Sequence, residues 1–224
     1  MIQNITLKVP TSYEDITLRK YLELQKELIN YEGDEEATVA LMLYHLCGLD
    51  PIYLEGMAYD DLLLIKNELQ EFINKTDFEL KRFVTIDGVE YGFEPNLSQM
   101  QYGAYLDITR NDTITIDENW AKIMSILYRP VVRKKGEMYE IERYDGKIDA
   151  EKWLDVGMDI HFGTLFFFLY LSLDLARGIA KSTKVEGLPQ NMQQILERSG
   201  EVIHQLLNSQ TAILQSSTKS QKNP

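Results

Sequence analysis

Asp155 and Asp159 fall one helical turn apart, and His161 follows two residues later. Two carboxylates at that spacing could share a proton or bind a cation, and a neighbouring imidazole could move a proton. This trio is therefore the sequence's one candidate for an enzyme with an unfamiliar site. The competing reading makes the two acids a solvated helix face and His161 a packing residue at the start of an apolar helix. The second reading is preferred, because nothing else in the chain completes a recognisable reaction centre.

The remaining reactive side chains do not assemble on paper. His45 and Cys47 stand two apart on a predicted helix, so their side chains diverge and cannot jointly hold a metal. His204 falls on the last predicted helix and reads as a packing or surface residue. The acidic run Asp34-Glu35-Glu36 lacks calcium-loop spacing and instead favours a helix N-terminus. The chain has no G-x-S-x-G, G-x-x-x-x-G-K-[ST] or G-x-G-x-x-G motif. No catalytic, cofactor-binding or metal-ligating residue is assigned. The expectation is a protein that is not an enzyme and carries no cofactor.

Charge narrows the partners. The net charge is −12, and residues 1–80 hold 16 acidic against 6 basic side chains. The other 144 residues hold 19 and 17, so the imbalance is concentrated in the first third. Such a region repels phosphate backbones, which argues against nucleic-acid binding there. The basic cluster Arg129, Arg133, Lys134 and Lys135 faces Glu137, Glu140 and Glu142 across a proposed hairpin, which suggests cross-strand pairing. Cys47 is the only cysteine, so no intrachain disulfide forms. With a start that lacks the basic and apolar runs of a signal peptide, this gives a cytoplasmic expectation.

The elements that would position these residues are mostly helical. Residues 5–9 alternate like a short strand. Thr17 can cap a helix that turns Leu18, Tyr21, Leu22 and Ile29 inward. An acidic start at residues 34–36 leads a second helix to Gly48, and Asp50-Pro51 caps a short third. Asp60 can cap a helix striped by Leu62, Ile65, Leu69, Phe72 and Ile73. Asp87-Gly88 then joins two alternating runs, the strongest short hairpin signal. A helix follows Asn96 or Ser98. Asp117 caps another, with Trp120, Ile123, Met124 and Leu127 on one face, and Arg129-Pro130 ends it. A second hairpin turns at Lys135-Gly136, and Asp149 begins a helix. Six tyrosines crowd this middle region (Tyr91, Tyr102, Tyr105, Tyr128, Tyr139 and Tyr144), a residue type that serves interfaces and cores equally.

The segment HFGTLFFFLYLSLDLARGIA, starting at His161, is the most hydrophobic. Asp174 and Arg177 make it a poor membrane span. Wound as a helix, it gathers Gly163, Tyr170, Asp174, Arg177 and Lys181 on one stripe. Apolar residues fill much of the rest, so it reads as a buried central helix. Residues 182–191 resemble a linker. Beyond them an amphipathic helix with Met192, Ile195, Leu196, Ile203 and Leu206 on one side offers a candidate partner-binding face, followed by a polar tail. The fold expectation is mainly α, a helical bundle with two small β-hairpins. Its regions are an acidic helical part over 1–78, a hairpin and helix core over 79–182, and a linker, helix and tail over 183–224.

One resemblance adds a specific role. FVTIDGVEYGFEPNLSQMQYGAYLDI is followed in order by NWAKIMSILYRPV, YEIERYDG and FGTLFFFLYLSLDLA. This order resembles small accessory proteins encoded among the structural genes of tailed bacteriophages, in particular tail-assembly-chaperone-like proteins. It covers residues 83–180, and its most distinctive pieces are residues 102–107 and 120–130. The resemblance implies a non-enzymatic protein that binds a long helical tape-measure partner during tail assembly in the host cytoplasm. A virion structural component, a packaged cargo protein or a homo-oligomer would suit the same features.

Overall fold

The computed structural model describes residues 6–31, 34–73, 78–110 and 115–183. The chain divides into two compact units, with residues 6–73 in the first and 78–183 in the second.

In the first unit, α1 (Leu18–Leu28) opens on Thr17, whose hydroxyl accepts from the Lys20 amide at 3.4 Å. α2 (Glu35–Cys47) opens on Asp34, whose carboxylate accepts from the Ala37 amide at 3.0 Å. It ends at Gly48, which takes the left-handed conformation (φ 71°) and lets the Leu49 amide reach back to the Leu43 carbonyl. α3 (Tyr59–Ile73) begins one residue before the expected Asp60 cap and buries Leu69 and Ile73. Leu18, Leu24, Met42, Leu43, Leu46 and Leu49 complete this core. Ile29, expected to face inward, is 77% exposed, because α1 stops at Leu28 and the following 3-10 turn rotates it outward. Residues 6–9 form no strand.

The second unit corrects the sequence expectation. It is not a helical bundle with two separate hairpins. β1 (Phe83–Ile86) and β2 (Val89–Phe93) turn at Asp87-Gly88, both with positive φ, as a type I′ turn requires. β3 (Tyr128–Lys135) and β4 (Met138–Ile141) form the second hairpin. The two hairpins then join through Tyr91↔Pro130, Gly92↔Arg129 and Phe93↔Tyr128, giving one four-stranded antiparallel sheet in the order β1-β2-β3-β4. The protein is therefore α+β, with seven α-helices and a true sheet among the described residues. Pairing between segments 35 or more residues apart leaves no local signature, which is why the hairpins read as independent. Pro130 is a strand residue rather than a helix stop, since Tyr128 is already extended when α5 (Trp120–Leu127) ends.

A bulge at Val132 bends β3, so the register steps from Val131↔Ile141 to Arg133↔Glu140. The bend brings Tyr139 of β4 over β2. Its hydroxyl donates to the Phe93 carbonyl at 2.6 Å, and its ring meets Phe83 edge-on at 4.6 Å. Gly92 makes room: a Cβ there would stand 2.9 Å from both the Tyr139 ring and the Ile141 side chain.

Behind the sheet runs α7 (Met158–Thr183), which carries the opening apolar segment. Phe162, Leu165 and Leu169 are buried, while Tyr170 and Asp174 face solvent as the helical projection anticipates. Gly163 departs from that solvent stripe. It is buried against the backbone of residue 79, and a Cβ at 163 would overlap the Glu79 carbonyl. Two effects oppose each other in Gly163→Ala. Helix propensity favours alanine by about 1 kcal/mol, whereas overpacking against backbone costs about 1–3 kcal/mol. Because a carbonyl cannot rotate aside like a side chain, the clash should win, and urea denaturation should show a net loss of stability.

Candidate functional site

The acid–base trio does not make one solvent-facing centre. Asp155 is exposed beyond the end of α6 (Glu151–Leu154), and the Asp159 carboxylate takes the Lys81 ammonium at 2.5 Å. His161 has no solvent exposure at all. The Trp120 indole donates to its Nδ1 at 3.1 Å, so Nδ1 must be the bare nitrogen. Nε2 then carries the proton and donates it to the Trp153 carbonyl, also at 3.1 Å. Burial pushes the imidazole down to about pH 4, where charge would break the Trp120 bond. His161 is a structural residue, as the packing reading held.

The basic cluster is likewise taken apart. Arg129 is buried and donates to Glu94 at 2.5 Å and to the Ile126 carbonyl at 3.1 Å. Arg133 pairs with Glu140 across the hairpin at 3.5 Å, the expected cross-strand contact. Lys134 instead crosses to Glu90 of β2 at 2.7 Å and lies over the Phe83 ring. The sequence could not show the Arg129–Glu94 pair, because the β2–β3 register that creates it is non-local.

The tyrosines sort by environment. Tyr91 and Tyr128 are core residues, and Tyr144 donates to Asp107 at 2.5 Å. Tyr102 and Tyr105 of α4 (Tyr102–Thr109) are 73% and 54% exposed, and they share their outward face with Leu106 and Thr109.

The feature best suited to hold another molecule went unread in the sequence. A concave groove of about 1020 Å³ opens between α7, the residue 94–98 turn and the β3–β4 hairpin. Its floor is apolar, built from Leu80, Phe93, Leu97, Phe167 and Leu171 with Met138 and Tyr139 on one wall. Arg82, Arg133, Lys135, Glu137 and Glu140 lie around it. Glu94, held by Arg129, is a buried carboxylate in its lining. Phe167 and Leu171 are one helical turn apart on α7, and Leu97 is set by a 3-10 turn capped by Asn96. The only local signals were the i,i+4 pair on α7 and the cap at Asn96. The groove itself depends on the bulge at Val132 and on Gly92.

The expected partner face of Met192, Ile195, Leu196, Ile203 and Leu206 lies outside the described residues. Among the described residues no helix is long and apolar enough to cross a membrane, and no three His, Cys, Asp or Glu gather as metal ligands. No family model, curated protein or solved structure matches this chain.

Two outcomes follow. An unfolded histidine titrates near 6.5, so the unfolded chain binds a proton between that pH and about 4 that the folded chain refuses. Stability held by neutral His161 is complete above pH 6.5 and should be lost as pH falls, by up to about 1.4 kcal/mol per pH unit. Denaturation midpoints between pH 6.5 and 5 should show this slope, and His161→Gln should flatten it. Glu94→Ala should cost about 3–5 kcal/mol by stranding the buried Arg129, measurable by urea unfolding.

Proposed function

We propose that this chain is a non-enzymatic interaction protein that holds an apolar polypeptide segment in the groove between α7 and the β3–β4 hairpin. The observation that carries the reading is the groove itself: about 1020 Å³ with an apolar, aromatic floor and charged residues around it. An amphipathic helix lays its apolar side into such a trough and its polar side along such a rim. In the form implied by the resemblance to tail-assembly-chaperone-like phage proteins, the guest is a helical tape-measure-type protein, held in the host cytoplasm during virion assembly. The acidic balance of the chain supports that role by opposing self-association while the guest is carried.

The test uses residues whose change spares the core. Met138 is 73% exposed, and Leu97 is half-buried on the groove floor. Met138→Glu and Leu97→Glu should each weaken binding of a purified helical tape-measure segment by about fivefold or more. Titration calorimetry reads the loss, and thermal unfolding checks that each variant is folded. Unchanged affinity in both folded variants would remove the groove from the function.

A further inference from the structure

We infer that the outward face of α3, together with the 3-10 turn Pro51–Tyr53 before it, docks a basic amphipathic polypeptide segment. This surface belongs to the first unit and stands independently of the groove. Surface helices normally give their outward arc to charged and polar residues, with apolar ones turned to the core. α3 does this on its inner side, where Leu69 and Ile73 are buried. Its outer side breaks the pattern. Tyr59 is 60% exposed, Leu64 62% and Leu63 36%, and Ile52 in the preceding turn is 76% exposed.

Helical winding at about 100° per residue puts Tyr59, Leu63 and Leu64 on the outward arc with Asp60 and Glu71 between them. Tyr59 and Leu63 sit one turn apart. Large apolar side chains left together on a surface mark a place where another molecule packs.

Charge identifies the occupant. From Gly48 to Glu71 the chain holds six carboxylates, Asp50, Glu55, Asp60, Asp61, Glu68 and Glu71, against the single ammonium of Lys66. All six carboxylate residues are exposed, whereas Lys66 is half-buried. Association through this face by a second copy would set like charges against one another, which costs affinity. A partner that interleaves Lys or Arg with Leu-sized residues matches both components, with apolar contacts fixing position and opposite charges drawing it in.

The probe is a labelled peptide of about 18 residues, Lys and Leu placed at helical period, titrated by fluorescence anisotropy against the full chain. Leu64→Ser combined with Ile52→Ser should weaken binding by about fivefold or more. Asp60→Asn combined with Asp61→Asn should weaken it by a similar factor and reduce its salt dependence. Glu14→Gln, an exposed acid elsewhere in the same unit, should leave it unchanged. All of the altered side chains are exposed, and thermal unfolding confirms that each variant is folded. The inference is overturned if the Ser variants bind like the parent, since that leaves only diffuse charge attraction. It is equally overturned if a Glu/Leu peptide of the same pattern binds as tightly. Loss of binding in Met138→Glu would place the peptide in the groove instead, and would also overturn it.

Discussion

The second unit is organised around a neutral imidazole. His161 on α7 accepts from Trp120 at the start of α5 and donates to the Trp153 carbonyl on α6, so one side chain ties three helices together. Both bonds require the same protonation state and the same tautomer. A buried polar group is tolerable only when satisfied, and here the two bonds together offset the loss of water. The Trp153 ring also meets Tyr91 of β2 and Tyr128 of β3, at 5.8 and 5.1 Å between centroids. The sheet therefore inherits its position from the histidine node.

From that node the construction continues outward. Phe93 packs on Tyr128 and on Phe167 and Phe168 of α7, fixing the floor of the groove. Phe78 packs on Phe162 and Phe166 of the same helix. Rigid aromatic contacts hold the trough open on one side, while the bend at Val132 folds the hairpin across the other. The buried Arg129–Glu94 pair sits where β2 and β3 meet. It joins the end of α5, through the Ile126 carbonyl, to the turn that supplies Leu97.

Much of the local structure was legible in the residues. Thr17, Asp34 and Gly48 mark helix ends through capping chemistry that acts within a few positions. Asp87-Gly88 announces its turn because the backbone there needs positive φ. The central helix could be recognised from one polar stripe. What could not be read were relations between distant positions. The β2–β3 register, the bulge at Val132 and the close approach at Gly163 each depend on a partner far along the chain. The groove is the sum of such relations, so it had no signature of its own. His161 shows the opposite case, where weighing packing against chemistry was enough. The bundle expectation failed because two hairpins with sound local signals give no sign that they will pair.

The β2–β3 junction also governs how the unit comes together in time. Each hairpin closes over a two-residue turn, whereas the three rungs that join them must first close a loop running from residue 94 to residue 127. Loop closure of that length carries an entropic cost of roughly 3 kcal/mol, rising by only about 0.6 kcal/mol for each doubling. Relatives of this chain can therefore lengthen the segment between α4 and α5 at little thermodynamic expense. They have far less freedom at Tyr91, Gly92 and Phe93, where the clasp is fastened.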